Sequence, residues 1–185
     1  MIYFNQIKDT RYLVQICLNE NLSFDLQIMI FFKYYDSGKI EIPLLLDRKH
    51  IHSIMLNGKN QPLCSIGGLE FPLSTKYLNS FSDNIINLKY FGELDQQVLI
   101  ISNTFKELNK PCVIPSYTQL SLPHFNYYTS TFKYRIIATI PKSFGVIYDE
   151  KPFENVFLKG KKILCYESLN EKIGKKIKFI IKQKD

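Results

Sequence analysis

The sequence has no tryptophan, only three arginines (Arg11, Arg48 and Arg135) and only three histidines (His50, His52 and His124). Each shortage narrows the field. Proteins that read nucleic acid lean on arginine for bidentate contacts to bases and phosphates, and the basic side here is nearly all lysine. The net charge of +7 is therefore read as solubility and protection of strand edges, and nucleic acid is not expected as a partner. The four cysteines, Cys17, Cys64, Cys112 and Cys165, lie far apart and form no CxxC pair. They read as free structural thiols, which suits a reducing compartment. Long hydrophobic runs are missing too. The longest, Ile28–Phe32, is far too short to cross a bilayer, so no membrane span is expected. The start, MIYFNQIKDTRY, has no apolar core flanked by basic residues and no small-residue cleavage site. It is not read as a signal peptide, and the expected location is cytoplasmic.

Sequence motifs of catalysis are also lacking. HExxH, GxSxG, GxxxxGK[ST] and GxGxxG do not occur, and the IGG at 66–68 is too short to cradle a phosphate.

What the chain does have is 14 Phe, 12 Tyr and abundant Ile and Leu, a bias toward strand. In SFDLQIMIFFKYY, Phe24, Leu26, Ile28, Ile30, Phe32 and Tyr34 share one face, the period of a half-buried strand. YLVQICL repeats the pattern with Tyr12, Val14, Ile16 and Leu18, and NENL joins the two runs, so residues 11–35 read as a β-hairpin. KIEIPLLL aligns Ile40, Ile42, Leu44 and Leu46, and its Pro43 argues for an edge strand or a bulge. IHSIMLNGK ends in Asn57-Gly58, a tight-turn signal. NIINLKYFGEL, FKYRIIATI, FGVIYDE, NVFLKG, KKILCYES and KKIKFIIKQ continue the series. Residues 104–126 hold three of the eight prolines and read as an irregular connection with one short helical turn at TFKELN. About ten to twelve short strands, with turns every eight to twelve residues, predict a single all-β domain over 1–185: a β-sandwich, or an open barrel-like pair of mixed or antiparallel sheets, with little helix.

Candidate chemistry is sparse. His50 and His52 stand two apart on a predicted strand, where both would point to one face and could reach one ion. Zinc needs three or four ligands, and His124 lies in a proline-rich loop, so both are read as ordinary sheet residues. Tyr148-Asp149-Glu150 offers adjacent acids, but neighbours on a strand face opposite ways. Ser116 has no base at a recognisable spacing. In KKIKFIIKQ lysines alternate with Ile177, Phe179 and Ile181, which predicts a strand with a solvated basic face. Its Phe179 lies opposite the lysines, which counts against base stacking.

The order of the strands carries a resemblance. The segment Ile51–Gly58, the triplet Tyr90-Phe91-Gly92, the loop Pro111–Pro115, and Phe132–Pro141 followed by Phe144–Glu150 stand in the order and spacing seen in one family. They resemble the N-terminal β domain of zinc aminopeptidases of the aminopeptidase N and leukotriene hydrolase type, over roughly residues 10–182. The resemblance implies that RKHIHSIMLNGK is a sheet strand with its turn, not a metal site. In that family the zinc-binding HExxH, its downstream Glu and a GxMEN segment lie in a following domain, and none is present here. The implied role is non-catalytic: this chain alone is not expected to be an enzyme, and it binds no cofactor itself, zinc belonging to a separate catalytic domain. That domain in cis, or another protein, is the expected partner, with peptide as a candidate ligand. By the same resemblance Pro111, Cys112, Pro115, Ser116 and Tyr117 form a candidate cleft-lining loop. The family's substrate-contacting Gln has no evident match. The alternative is a stand-alone β-sandwich that binds proteins by strand addition.

Overall fold

The computed structural model describes residues 7–35, 41–46, 50–63, 70–102, 118–125, 132–168 and 177–184. They form fifteen strands: β1 (Ile7–Leu18), β2 (Ser23–Tyr34), β3 (Glu41–Leu45), β4 (Ile51–Leu56), β5 (Lys59–Gln61), β6 (Glu70–Ser74), β7 (Asp83–Glu93), β8 (Val98–Ser102), β9 (Thr118–Ser121), β10 (His124–Phe125), β11 (Phe132–Pro141), β12 (Phe144–Ile147), β13 (Glu154–Leu158), β14 (Lys161–Ser168) and β15 (Lys178–Gln183). The only helix among the described residues is two single 3-10 turns, Thr75–Tyr77 and Asp95–Gln97. The strand count exceeds ten to twelve because several pieces, such as β5 and β10, are two or three residues long.

The largest sheet has eight strands in the order β13-β14-β11-β1-β2-β7-β4-β5. Its centre is the expected hairpin: β1 and β2 pair antiparallel, with Val14 opposite Ile28 and Leu18 opposite Phe24. The Asn19–Leu22 turn closes it, with Leu22 in the left-handed region at φ 67°. β11 joins the other side of β1 in parallel, so the sheet is mixed. Asn57 and Gly58 turn β4 into β5 with φ of 49° and 77°, the positive pair a type I′ hairpin demands.

Alternation decides which face of this sheet is covered. Val14, Ile16, Phe24, Ile28, Ile30, Leu88, Tyr90, Ile136 and Ala138 are all buried, and their neighbours in sequence are half-buried or exposed. Against the buried face lie two smaller sheets, β10-β3-β6 and β12-β15-β8-β9. Their inward side chains, among them Leu44, Leu73, Leu99, Leu120, Phe144 and Phe179, belong to the same continuous core. Phe32 of β2 meets Phe125 of β10 at 4.9 Å between ring centres, and Tyr166 of β14 meets Phe179 of β15 at 5.2 Å. Such burial contributes about 1.5–3 kcal/mol per large apolar side chain. The architecture is a sandwich-like all-β fold, with one large sheet backed by two small ones.

Two local expectations change. Pro43 does not mark an edge strand, because β3 lies between β10 and β6. Pro43 stands opposite Pro72 of β6, a position where neither residue can donate to the other. On the other side β10 reaches only Leu44 and Leu45. At Pro43 itself, therefore, no strand waits for a donor. The second change concerns 104–126, which is not irregular throughout. Thr118–Ser121 runs parallel to β8 and His124–Phe125 pairs with β3, while TFKELN lies outside the described residues.

Candidate functional site

The two neighbouring histidines part company. His50 precedes β4 with φ 64°, and its carbonyl accepts the Phe91 N–H at 3.0 Å. Its ring meets the edge of buried Phe24 at 5.9 Å. Along β4 the pairing with β7 slips, from Ile51 opposite Tyr90 to Ser53 opposite Lys89. His52 falls in that bulge, is exposed, and lies on Phe91 at 4.8 Å. The left-handed turn and the bulge together cancel the period-two alignment. Among the described residues no group of three or more His, Cys, Asp or Glu could hold a metal ion.

Gly92 explains its own place in the Tyr90-Phe91-Gly92 triplet. A Cβ there would lie 2.7 Å from the Phe24 ring and 3.0 Å from His50 Nδ1. Only glycine lets β7 pass this close to the core ring that His50 also touches.

The candidate loop residues Pro111, Cys112, Pro115, Ser116 and Tyr117 lie outside the described residues, but both anchors of that loop are described. β8 and β9 are parallel, with Leu99 opposite Thr118 and Ser102 opposite Ser121. The chain therefore leaves at one end of β8 and re-enters at the other. Thr118 is buried at the re-entry point, where its hydroxyl accepts from the Asp95 N–H at 3.0 Å and donates to the Glu93 carbonyl at 3.2 Å. His124 pairs through its backbone with Leu45.

Tyr148, Asp149 and Glu150 follow β12 as a bend rather than a strand. Tyr148 turns into an aromatic cluster. Its hydroxyl hydrogen-bonds that of Tyr134, and its ring lies 5.4 Å from Tyr166 and 5.5 Å from Phe179. Burial, then the Tyr134 hydroxyl, then nearby Glu150 and Asp149 push the phenol well above its ordinary range. It stays protonated at neutral pH and rivets the large sheet to the four-stranded one. Nothing in the spacing of these tyrosines marks them as neighbours; only the sheet register brings them together.

The uncovered face of the large sheet carries two shallow grooves. One, of about 400 Å³, is lined by Gln15, Cys17, Asp25, Gln27, Lys89 and Thr139. The other, of about 350 Å³, is lined by Arg11, Phe31, Lys133, Arg135 and Glu167, with Arg135 paired to Glu167 at 2.9 Å. On β15, Lys178 and Lys182 face solvent while Phe179 and Ile181, and Ile177 just before the strand, are buried, as the alternation predicted.

No known family model matches the sequence, and no curated protein matches it. Solved structures do. The chain is similar to an M1 zinc metallopeptidase from Deinococcus radiodurans, with a TM-score of 0.61 and 11% identity, over 96% of this chain and 42% of that one. It is similar in the same proportions, with a TM-score of 0.59, to a variant two-domain M1 zinc metallopeptidase bound to L-arginine. A further Deinococcus radiodurans M1 variant, bound to a Tyr-Ser-Ala substrate, gives 0.61. At this identity the likeness is one of fold. The fold the resemblance implied is the fold observed, and the chain spans less than half the length of the metallopeptidases that share it.

Proposed function

We propose that the chain is a non-catalytic domain of an aminopeptidase-like zinc metallopeptidase. In this reading it packs against the catalytic domain in cis and helps to shape one side of the peptide cleft. The observation that carries the reading is the shared fold over 96% of this chain and only 42% of a metallopeptidase chain, one of whose relatives is described as two-domain. The anchoring of the 103–117 connection supports the finer part. A loop whose return is held by buried Thr118 and the Glu93–Asp95 backbone is fixed at its base, as a loop that lines a cleft must be. Zinc would belong to the other domain, where its ligands would reside.

The test is immunoprecipitation from extracts of the source cells with an antibody to this chain. The precipitate should hold aminopeptidase activity that a zinc chelator removes, while the 185-residue chain alone shows none. A precipitate free of such activity, from extracts where the antibody recovers its target, would sink the proposal.

A further inference from the structure

The arginines of the chain are unevenly spread. Two of the three, Arg11 and Arg135, line the same groove of about 350 Å³ on the large sheet, together with Lys133. The sheet register puts them there. Arg11 of β1 stands directly opposite Lys133 of β11, and Arg135 stands opposite Leu13. Residues opposite one another, or two apart on one strand, share a face, so the three cations project together with Cα atoms within about 8 Å of one another. Like charges set directly opposite destabilise a strand pair, and little here offsets them. The acid among the described lining residues is Glu167, which Arg135 engages through a single bond at 2.9 Å. Arg11 and Lys133 have no acidic partner among the described residues. Both guanidinium groups are nevertheless held in place by rings. Arg11 lies over Phe31 at 5.8 Å and Arg135 over Phe153 at 5.9 Å. Such stacking occupies the flat face of a guanidinium and leaves its N–H donors, which radiate in the plane, available.

We propose that this groove binds a small phosphate monoester. Three cations against one carboxylate leave two positive charges. A phosphate monoester carries about two negative charges at neutral pH and three strong acceptor oxygens. A carboxylate is matched by one arginine, as Glu167 is by Arg135. The surplus at Arg11 and Lys133 therefore suits a dianion. Arg11 offers a fork to two phosphate oxygens and Lys133 a point charge to the third. The organic group lies along Leu13 and Phe31, half-buried residues that also line the groove. A volume of about 350 Å³ falls at the lower end of the range for small-ligand sites, so the group attached to the phosphate is small.

Titrating the isotope-labelled 185-residue chain with phenyl phosphate at neutral pH and low salt, followed by amide NMR shifts, tests this. Saturable shifts centred on Arg11, Leu13, Lys133 and Arg135 are expected. Arg11→Gln and Lys133→Gln should each weaken binding at least about tenfold. Both variants should melt no lower than the parent, because the two side chains are exposed and repel each other. Glu167→Gln should tighten binding by removing the competing carboxylate. Lys178→Gln, on the exposed basic face of β15, should leave it unchanged. Benzoate, a ring with a single charge, should bind at least about tenfold more weakly. Shifts that never saturate would overturn the proposal, and so would benzoate binding as well as phenyl phosphate. Equal damage from Lys178→Gln and Arg11→Gln would reduce the effect to the net charge of the chain and reject a site. Inorganic phosphate binding as tightly as phenyl phosphate would reject the ester. A phosphotyrosyl peptide binding more than about tenfold tighter than phenyl phosphate would assign the groove to a protein partner and reject the small molecule.

Discussion

Replacing Asn84 by alanine removes a side chain that is 0% exposed and uses its whole hydrogen-bonding capacity. Its Oδ1 accepts from the Asn79 N–H at 2.7 Å and from Asn57 Nδ2 at 2.8 Å. Its Nδ2 donates to the carbonyls of Asn79 and Ser82, each at 3.0 Å. These four bonds tie the loop before β7 to the β4–β5 turn, and Asn57 completes the tie by accepting the Ile85 N–H at 2.9 Å. Each bond contributes about 0.5–1.5 kcal/mol net, or roughly 2–6 kcal/mol for four. Asn79 and Ser82 are exposed residues, so their freed groups regain water, which favours the lower half of that range. The expected loss is about 3 kcal/mol, read by urea unfolding with far-UV circular dichroism. Asn84→Asp sharpens the test. It keeps the acceptor but turns a carboxylate toward two carbonyls in a buried site, which raises the carboxyl pKa in the folded state above the unfolded value of about 3.9. Stability tied to a raised folded pKa is complete below the unfolded value and is lost as pH rises through the folded one. The Asp variant should therefore be markedly less stable at neutral pH than in mild acid, relative to the parent. An alanine variant within about 1 kcal/mol of the parent, or an Asp variant with no pH dependence of its own, would refute the claim that this network holds the loop.

Gly92→Ala should cost about 1–3 kcal/mol by overpacking, because the new methyl meets the Phe24 ring at 2.7 Å. With Phe24→Leu added, the loss of the double variant should be smaller than the sum of the two single losses, and strict additivity in a double-mutant cycle would contradict the contact. Lys162 donates to the carbonyls of Lys142 and Phe144 at 2.9 and 2.8 Å, and partial burial followed by the nearby Lys184 lowers its pKa to about 8. The unfolded chain then binds more protons from there up to the ordinary lysine value, so stability rises with pH across that window; Lys162→Met should flatten the rise in thermal melts. Burial raises the phenols of Tyr12, Tyr148 and Tyr166. Stability from a raised phenol is full below pH 10, the unfolded value, and lost above it, so these tyrosines should ionise only as the protein unfolds, seen as a cooperative late step in tyrosinate absorbance.

Legibility in the sequence followed the length and regularity of each strand. The β1–β2 hairpin showed because Tyr12, Val14, Ile16, Phe24, Leu26 and Ile28 alternate without a break, and all are buried. Asn57-Gly58 announced its turn because few residue pairs take two positive φ values. β9 and β10 hid in a proline-rich stretch because two- and four-residue strands carry no period to read. The partition into three sheets was equally hidden, since pairing partners such as β1 and β11 are far apart in sequence. The histidine geometry turned on a bulge between Ile51 and Ser53 that alternation does not record. The exposed β13 was read simply as one more strand, because the letters NVFLKG do not say whether a second layer covers them.

The reading of this chain as one domain of a larger peptidase rests most directly on the size of its native product. An antibody to the domain, used on a denaturing gel of source-cell extract made with protease inhibitors, measures it. The account predicts a band far above 21.7 kDa, the mass of this chain. A single band at 21.7 kDa would contradict it and leave an independent β-sandwich module.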